Sequence, residues 1–189
     1  METYTRIAEI VDNNLILCLI PLLLSLMLIA FLFRNKFKTK KALNVVRWII
    51  IFYTAITLVY FIVGIAFAPE KFAFTNRATG PYWFAYWLML CAATVLPFTL
   101  LIKKLAAKFW YVLFIAFCMK IGFYFERFVI IVSSIHRDYF PMEQNSTWPG
   151  FPVFLVLYFL QGLVIAITLL GIIEITERIQ LRKIYSQKK

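Results

Sequence analysis

The apolar run FWYVLFIAFCMKIGFYFERFVIIVSS at residues 109–134 is broken by three ionisable side chains, Lys120, Glu126 and Arg127. A charge near the centre of a bilayer costs at least about 2.5–3.5 kcal/mol, so each of them needs a partner, water or a function. Two chemistries fit. In one, Glu126 and water form part of a proton or ion path; in the other, the charges pair with neighbouring helices or another subunit and fix how they pack. Glu126 lies eight residues before Ser134, about 12 Å from that end at 1.5 Å per residue. Arg127 points about 100° away around the helix, so the two are expected to meet different partners. Lys120 falls on nearly the opposite face from Glu126, which disfavours a direct bridge along the helix. A charged Lys120 repels protons and metal cations, whereas a desolvated neutral lysine could join a relay.

His136, Arg137 and Asp138 follow just beyond the same run. Histidine titrates near neutral pH, and the triplet could bind an anionic group or cap the helix; the alternative is an interfacial ion pair that holds the loop. Gln161 and Thr168 can hydrogen-bond to other helices, and Glu174 is placed to pair with Arg178, four residues on. Cys18, Cys91 and Cys118 show no metal-ligand spacing and read as buried small side chains. One histidine cannot supply both axial ligands of a bis-histidine haem, and no iron–sulfur cysteine set exists. The chain is therefore expected to hold no metal or redox centre of its own.

The elements that must position these residues follow from composition. The 189 residues are 63% hydrophobic, 19% aromatic and 15% charged, against roughly 45–50% apolar and about 25% charged in soluble domains. A soluble domain of this size cannot bury so much apolar surface, so the bilayer is the solvent. The net charge of +11 sits between the apolar runs, where topology explains it better than nucleic acid does. Five stretches are long enough to span a core of about 30 Å: residues 15–33, 45–67, 82–102, 109–134 and 151–175. The first lacks a small-residue cleavage site and reads as a retained span, not a signal peptide.

Basic residues set the orientation. Arg34, Lys36, Lys38, Lys40, Lys41, Arg47, Lys103, Lys104, Lys108, Arg178, Arg182, Lys183, Lys188 and Lys189 fall on one side. The other side has Arg6, Lys71, Arg77 and Arg137, with Glu2, Glu9, Asp12, Glu70, Asp138 and Glu143. Positive charge stays inside, which predicts a single all-α domain of five transmembrane helices, N-terminus out and C-terminus in. Tyr82, Trp83, Tyr86 and Trp87 form an outer interfacial belt, and Trp110 and Tyr111 an inner one. Pro21 and Pro97 are expected to kink their helices. Pro141 and Trp148-Pro149-Gly150 mark an outer loop at 135–150.

Two motifs in this order, FAFTNRATGPYWFAYWLM and ERFVIIVSSIHRDYFP, resemble the C-terminal half of the NrfD/PsrC-like membrane subunits of alternative complex III, a bacterial quinol:cytochrome c oxidoreductase. The resemblance runs from about Trp48 to Ile175. It implies a helical subunit of the bacterial inner membrane, beside iron–sulfur and multihaem cytochrome subunits and a longer NrfD-like subunit. It also implies quinol contact at a site shared between chains. Glu126, Arg127, His136, Arg137 and Asp138 match family positions, as do Arg77, Gly80, Pro81, Tyr82 and Trp83. By this likeness Glu126 is the candidate proton acceptor, with His136 and Asp138 beside it. Arg127, Arg137, Arg77, Tyr82, Trp83 and Lys120 are candidate binding residues.

The chain also departs from the family. It has no Gly-x-Gly-His-Ala-Gly-Thr type motif, and an apolar residue near Val59 or Tyr60 stands where relatives place an acid. Ala93 and Pro97-Phe98 stand for a usual Asn and a usual Pro-Gln pair, and Lys120 for a small polar residue. The leading expectation is a membrane subunit of a respiratory quinol oxidoreductase. A catalytically silent scaffold subunit of another envelope complex is the alternative, and an ion or small-solute transporter is disfavoured by the lack of repeat symmetry.

Overall fold

The computed structural model describes residue 6 and residues 10–33, 37–67, 74–136 and 150–187, and every described element is helical. In hydrocarbon each backbone N–H and C=O must be satisfied within its own segment, and these apolar runs satisfy them as helices. We label them α1 (Leu19–Leu32), α2 (Thr39–Phe67), α3 (Phe74–Thr79), α4 (Trp83–Thr94), α5 (Lys103–Ala106), α6 (Phe109–Met119), α7 (Ile121–His136) and α8 (Gly150–Gln187). Four helical stretches are long and apolar enough to cross a membrane: Asn14–Leu32, Thr39–Phe67, Trp83–Leu101 and Val156–Arg182. They coincide with the first, second, third and fifth predicted spans. The fourth predicted run is two helices, α6 and α7, that meet at Lys120.

Both prolines change the helix type locally. Pro21 has no N–H, and it sits in the first turn of α1, where none is needed. Just before it the chain makes a wide turn over Asp12–Ile16, closed by the Leu17 N–H on the Asp12 carbonyl at 3.0 Å. Pro97 starts a tighter 3₁₀ turn, Leu96–Leu101, that continues α4. There Phe98 N–H bonds Val95 O at 3.1 Å, three residues back.

α1 is the central helix, flanked by α2, α6 and α8. Leu22, Leu23 and Leu26 meet Leu43, Val46 and Ile50 of α2, Val112 and Ile115 of α6, and Ala166 of α8; each is no more than 2% exposed. Against lipid tails such burial gains only close van der Waals fit, so small residues matter at the contacts. Gly162 of α8 shows this. A Cβ there would lie 2.7 Å from Leu22 N and 2.8 Å from Pro21 C, so α8 and α1 touch backbone to backbone. Gly162 and Ala166 form the small-xxx-small spacing that permits it.

The end of the bundle that carries Lys38, Lys41, Lys103, Lys104 and Lys108 is tied by charge. Lys38 and Lys41 both pair with Glu177 of α8, and Arg178 bonds Glu174 at 3.2 Å, the expected pair. Arg47, read from sequence as a topological charge, is buried at 7% exposure. Its Nη1 donates to Asn44 Oδ1 and its Nη2 to Leu101 O, both at 3.3 Å, where a helix end offers carbonyls. Its guanidinium also lies 5.3 Å from the Trp48 ring centroid.

Candidate functional site

The charged residues of the broken fourth run do not act as a set. Lys120 ends α6 with φ −112° and ψ 16°. Its N–H turns back to Phe117 O at 3.1 Å, and α7 resumes as Tyr124 N–H bonds Lys120 O at 3.0 Å. Phe117 and Tyr124 bridge the joint as stacked rings, 5.3 Å apart and 9° from parallel. The joint turns Lys120 toward α1 and α2. Its Nζ pairs with an Asp12 carboxylate oxygen, and Tyr53 Oη of α2 donates to the same oxygen at 2.8 Å. Beside this cluster Gln161 Nε2 of α8 donates to Asn14 O at 3.1 Å, and Asn14 Nδ2 to Ile10 O at 2.9 Å.

Asp12 lies just before the Asn14–Leu32 stretch, at the end where the sequence reading set it. What the sequence reading lacked is its partner: Asp12 meets Lys120, eleven residues into the fourth run. Three segments, the Asp12–Ile16 turn, α2 and the α6/α7 joint, thus meet at one ionic centre, and Lys120 has a named partner there. Gln161 bonds across to another segment as expected. Thr168 instead donates to its own helix at Val164 O, 2.8 Å away. Cys18 and Cys118 are buried, whereas Cys91 is exposed on α4.

Glu126 is exposed, and among the described residues it has neither hydrogen bond nor ion pair. Lys120 and Glu126 are not brought together. His136 is the last residue of α7, while Arg137 and Asp138 lie outside the described residues, as do the side chain of Arg127 and the loop prolines. Arg77 is exposed on α3, and Tyr82 and Trp83 are 81% and 53% exposed, as an interfacial belt requires. Phe74 holds α3 in place, its ring 6.4 Å from Tyr86 and 6.1 Å from Trp87. Trp87 Nε1 donates to Ala78 O at 3.3 Å.

A cavity of about 300 Å³ lies between α4 and the α6/α7 joint. Tyr86, Met89, Leu90 and Ala93 line one side; Met119, Lys120, Gly122 and Phe123 line the other. Gly122 leaves it open, since a Cβ there would meet only Met89 Sδ at 3.8 Å. Comparison with protein families, with curated proteins and with solved structures gives no match. The geometry alone therefore speaks for the site. Ala93 and Lys120 line the cavity from opposite sides. Glu126 follows Gly122 by four residues, one turn further along the same face of α7. Among the described residues no three of histidine, cysteine, aspartate and glutamate are placed to hold a metal ion.

Two residues escaped sequence reasoning. Asp12 precedes the first apolar run and looks like a rim acid; only the unmatched Lys120 hinted that a carboxylate must be near. Gly162 was legible in principle from its spacing with Ala166, a pattern too common in membrane helices to single out one pair.

Proposed function

We propose that the chain is a membrane subunit of an NrfD-like respiratory quinol oxidoreductase in the bacterial inner membrane. In this reading it has five spans, α6 and α7 together forming the fourth, with the basic end in the cytoplasm. The observation that carries the proposal is the polar centre of Asp12, Lys120 and Tyr53, beside a cavity whose wall leads one turn on to Glu126. Each quinol oxidised releases two electrons and two protons. The electrons pass to iron–sulfur and haem groups held by partner subunits, and the Glu126 carboxylate accepts the protons in turn. Asp12 and Tyr53 hold Lys120 at the joint, which positions Glu126. Tyr82, Trp83, Arg77, Arg127, His136, Arg137 and Asp138 belong to the same outer end in this reading.

The test uses the assembly purified from native membranes. Glu126→Gln is expected to lower quinol oxidation by about 10²-fold, the low end of what a proton-transferring group contributes, with assembly retained. Normal turnover in a normally assembled variant removes Glu126 from the proton path. A second reading has its own support: Lys120 is already committed to Asp12, and most residues around the cavity are apolar. A scaffold without quinol chemistry fits that, and an assembly that purifies without quinone, haem or iron–sulfur groups decides for it.

A further inference from the structure

α7 presents an acid to surroundings that cannot satisfy it. Glu126, Val129, Ile130 and Ser133 recur at the spacing of one helical face, and Phe125, Phe128 and Val132 run alongside. All are exposed, and Phe128 is 62% exposed. Apolar residues alone would call for nothing but lipid. Glu126 changes this, because in the five-span reading it lies seven residues inside Ser133, about 10 Å from that end of the fourth span at 1.5 Å per residue. Lipid tails offer no donor at that depth. Of the described cations, Lys120 is committed to Asp12 and Arg47 to the carbonyl of Leu101, and no described residue pairs with Glu126.

We infer that this face of α7 is the docking surface for one transmembrane helix of another subunit, which brings a lysine or arginine to the depth of Glu126. Charge complementarity selects that occupant. A second copy of this chain is a poor one: a two-fold contact centred on this face sets two Glu126 carboxylates against each other. The aromatic flank supplies contact area on either side of the ion pair, and the small Ser133, whose Oγ is turned back to Ile130 O at 3.0 Å, lets the helices approach at the outer end. The inference rests on the chain being one subunit of a larger membrane assembly. It does not depend on quinol chemistry.

The experiment places the photo-crosslinker p-benzoylphenylalanine at position 128 of the full chain in native membranes, and identifies the captured peptide by mass spectrometry. The expected product is one transmembrane peptide of a different protein, with a lysine or arginine within about a turn of the linked residue. Glu126→Lys is expected to reduce the assembled complex at least tenfold, and changing the partner's cation to glutamate in that background restores it. Glu126→Gln keeps a hydrogen-bonding group and keeps most of the assembly, so failure of the docking idea is read in assembly and failure of the proton role in turnover. Cross-links only to lipid, or to a second copy of this chain, overturn the inference. So does normal assembly of Glu126→Lys.

Discussion

The half of the bundle nearest the basic loops and the half beyond Lys120 are built differently. In the first, α1, α2, α6 and α8 interdigitate around Leu22, Leu43, Ile50, Val112 and Ile115. In the second, only Gly64 of α2 is buried past Thr54, α4 has no buried residue, and no described side chain of α7 is buried. Both halves are largely apolar, although α1 and α6 are more so than α4 and α7. The difference is what each apolar surface faces. One half finds its van der Waals partners inside the chain; the other leaves them to lipid or to another protein. The ion pair of Lys120 with Asp12 marks the seam.

Breaking the seam gives the largest expected effect. Lys120→Met takes the cation from Asp12, which stays partly exposed and keeps its bond from Tyr53, a loss of about 1.5–3 kcal/mol. It should be visible as a marked fall in thermal midpoint in detergent. The double variant Asp12→Leu with Lys120→Met removes both charges and should recover most of that stability. A double variant as unstable as the single one would show that the pair is not the seam's main tie. Gly162→Leu comes next: overpacking the α1–α8 contact costs about 1–3 kcal/mol, and a wild-type midpoint would contradict the backbone contact described above.

Ile115→Ala and Phe128→Ala then test the contrast directly. With an unfolded reference that also lies in lipid, mainly the cavity part of the usual penalty survives. We expect about 2 kcal/mol for Ile115→Ala and changes within about 0.5 kcal/mol for Phe128→Ala in the isolated chain. Equal losses would mean the open half is as well packed as the dense one. The smallest effect is Tyr53→Phe, about 1 kcal/mol for one hydrogen bond to Asp12, measured by the same melts.

Span limits were legible because they depend on run length alone. Residues 15–33 and 82–102 were expected, against Asn14–Leu32 and Trp83–Leu101 observed. The second span starts earlier, at Thr39, because helical hydrogen bonding continues through polar Lys40 and Lys41 after hydropathy has faded. The interruption at Lys120 was not legible, and neither was its partner Asp12, 108 residues away. Hydropathy also cannot tell lipid-facing from protein-facing apolar residues, so the bareness of α4 and α7 could not be read from composition. Glu126 was marked as an acid in need of a partner, water or a function; it is exposed, and no described residue pairs with it.

The tie between Asp12 and Lys120 also orders events during biosynthesis. Asp12 leaves the ribosome with the first helix, and its counter-ion follows 108 residues later, a delay of about 5–20 s at about 5–20 residues per second. Until then the carboxylate is without its cation, and the contact of α8 with α1 through Gly162 forms later still, after a further 42 residues.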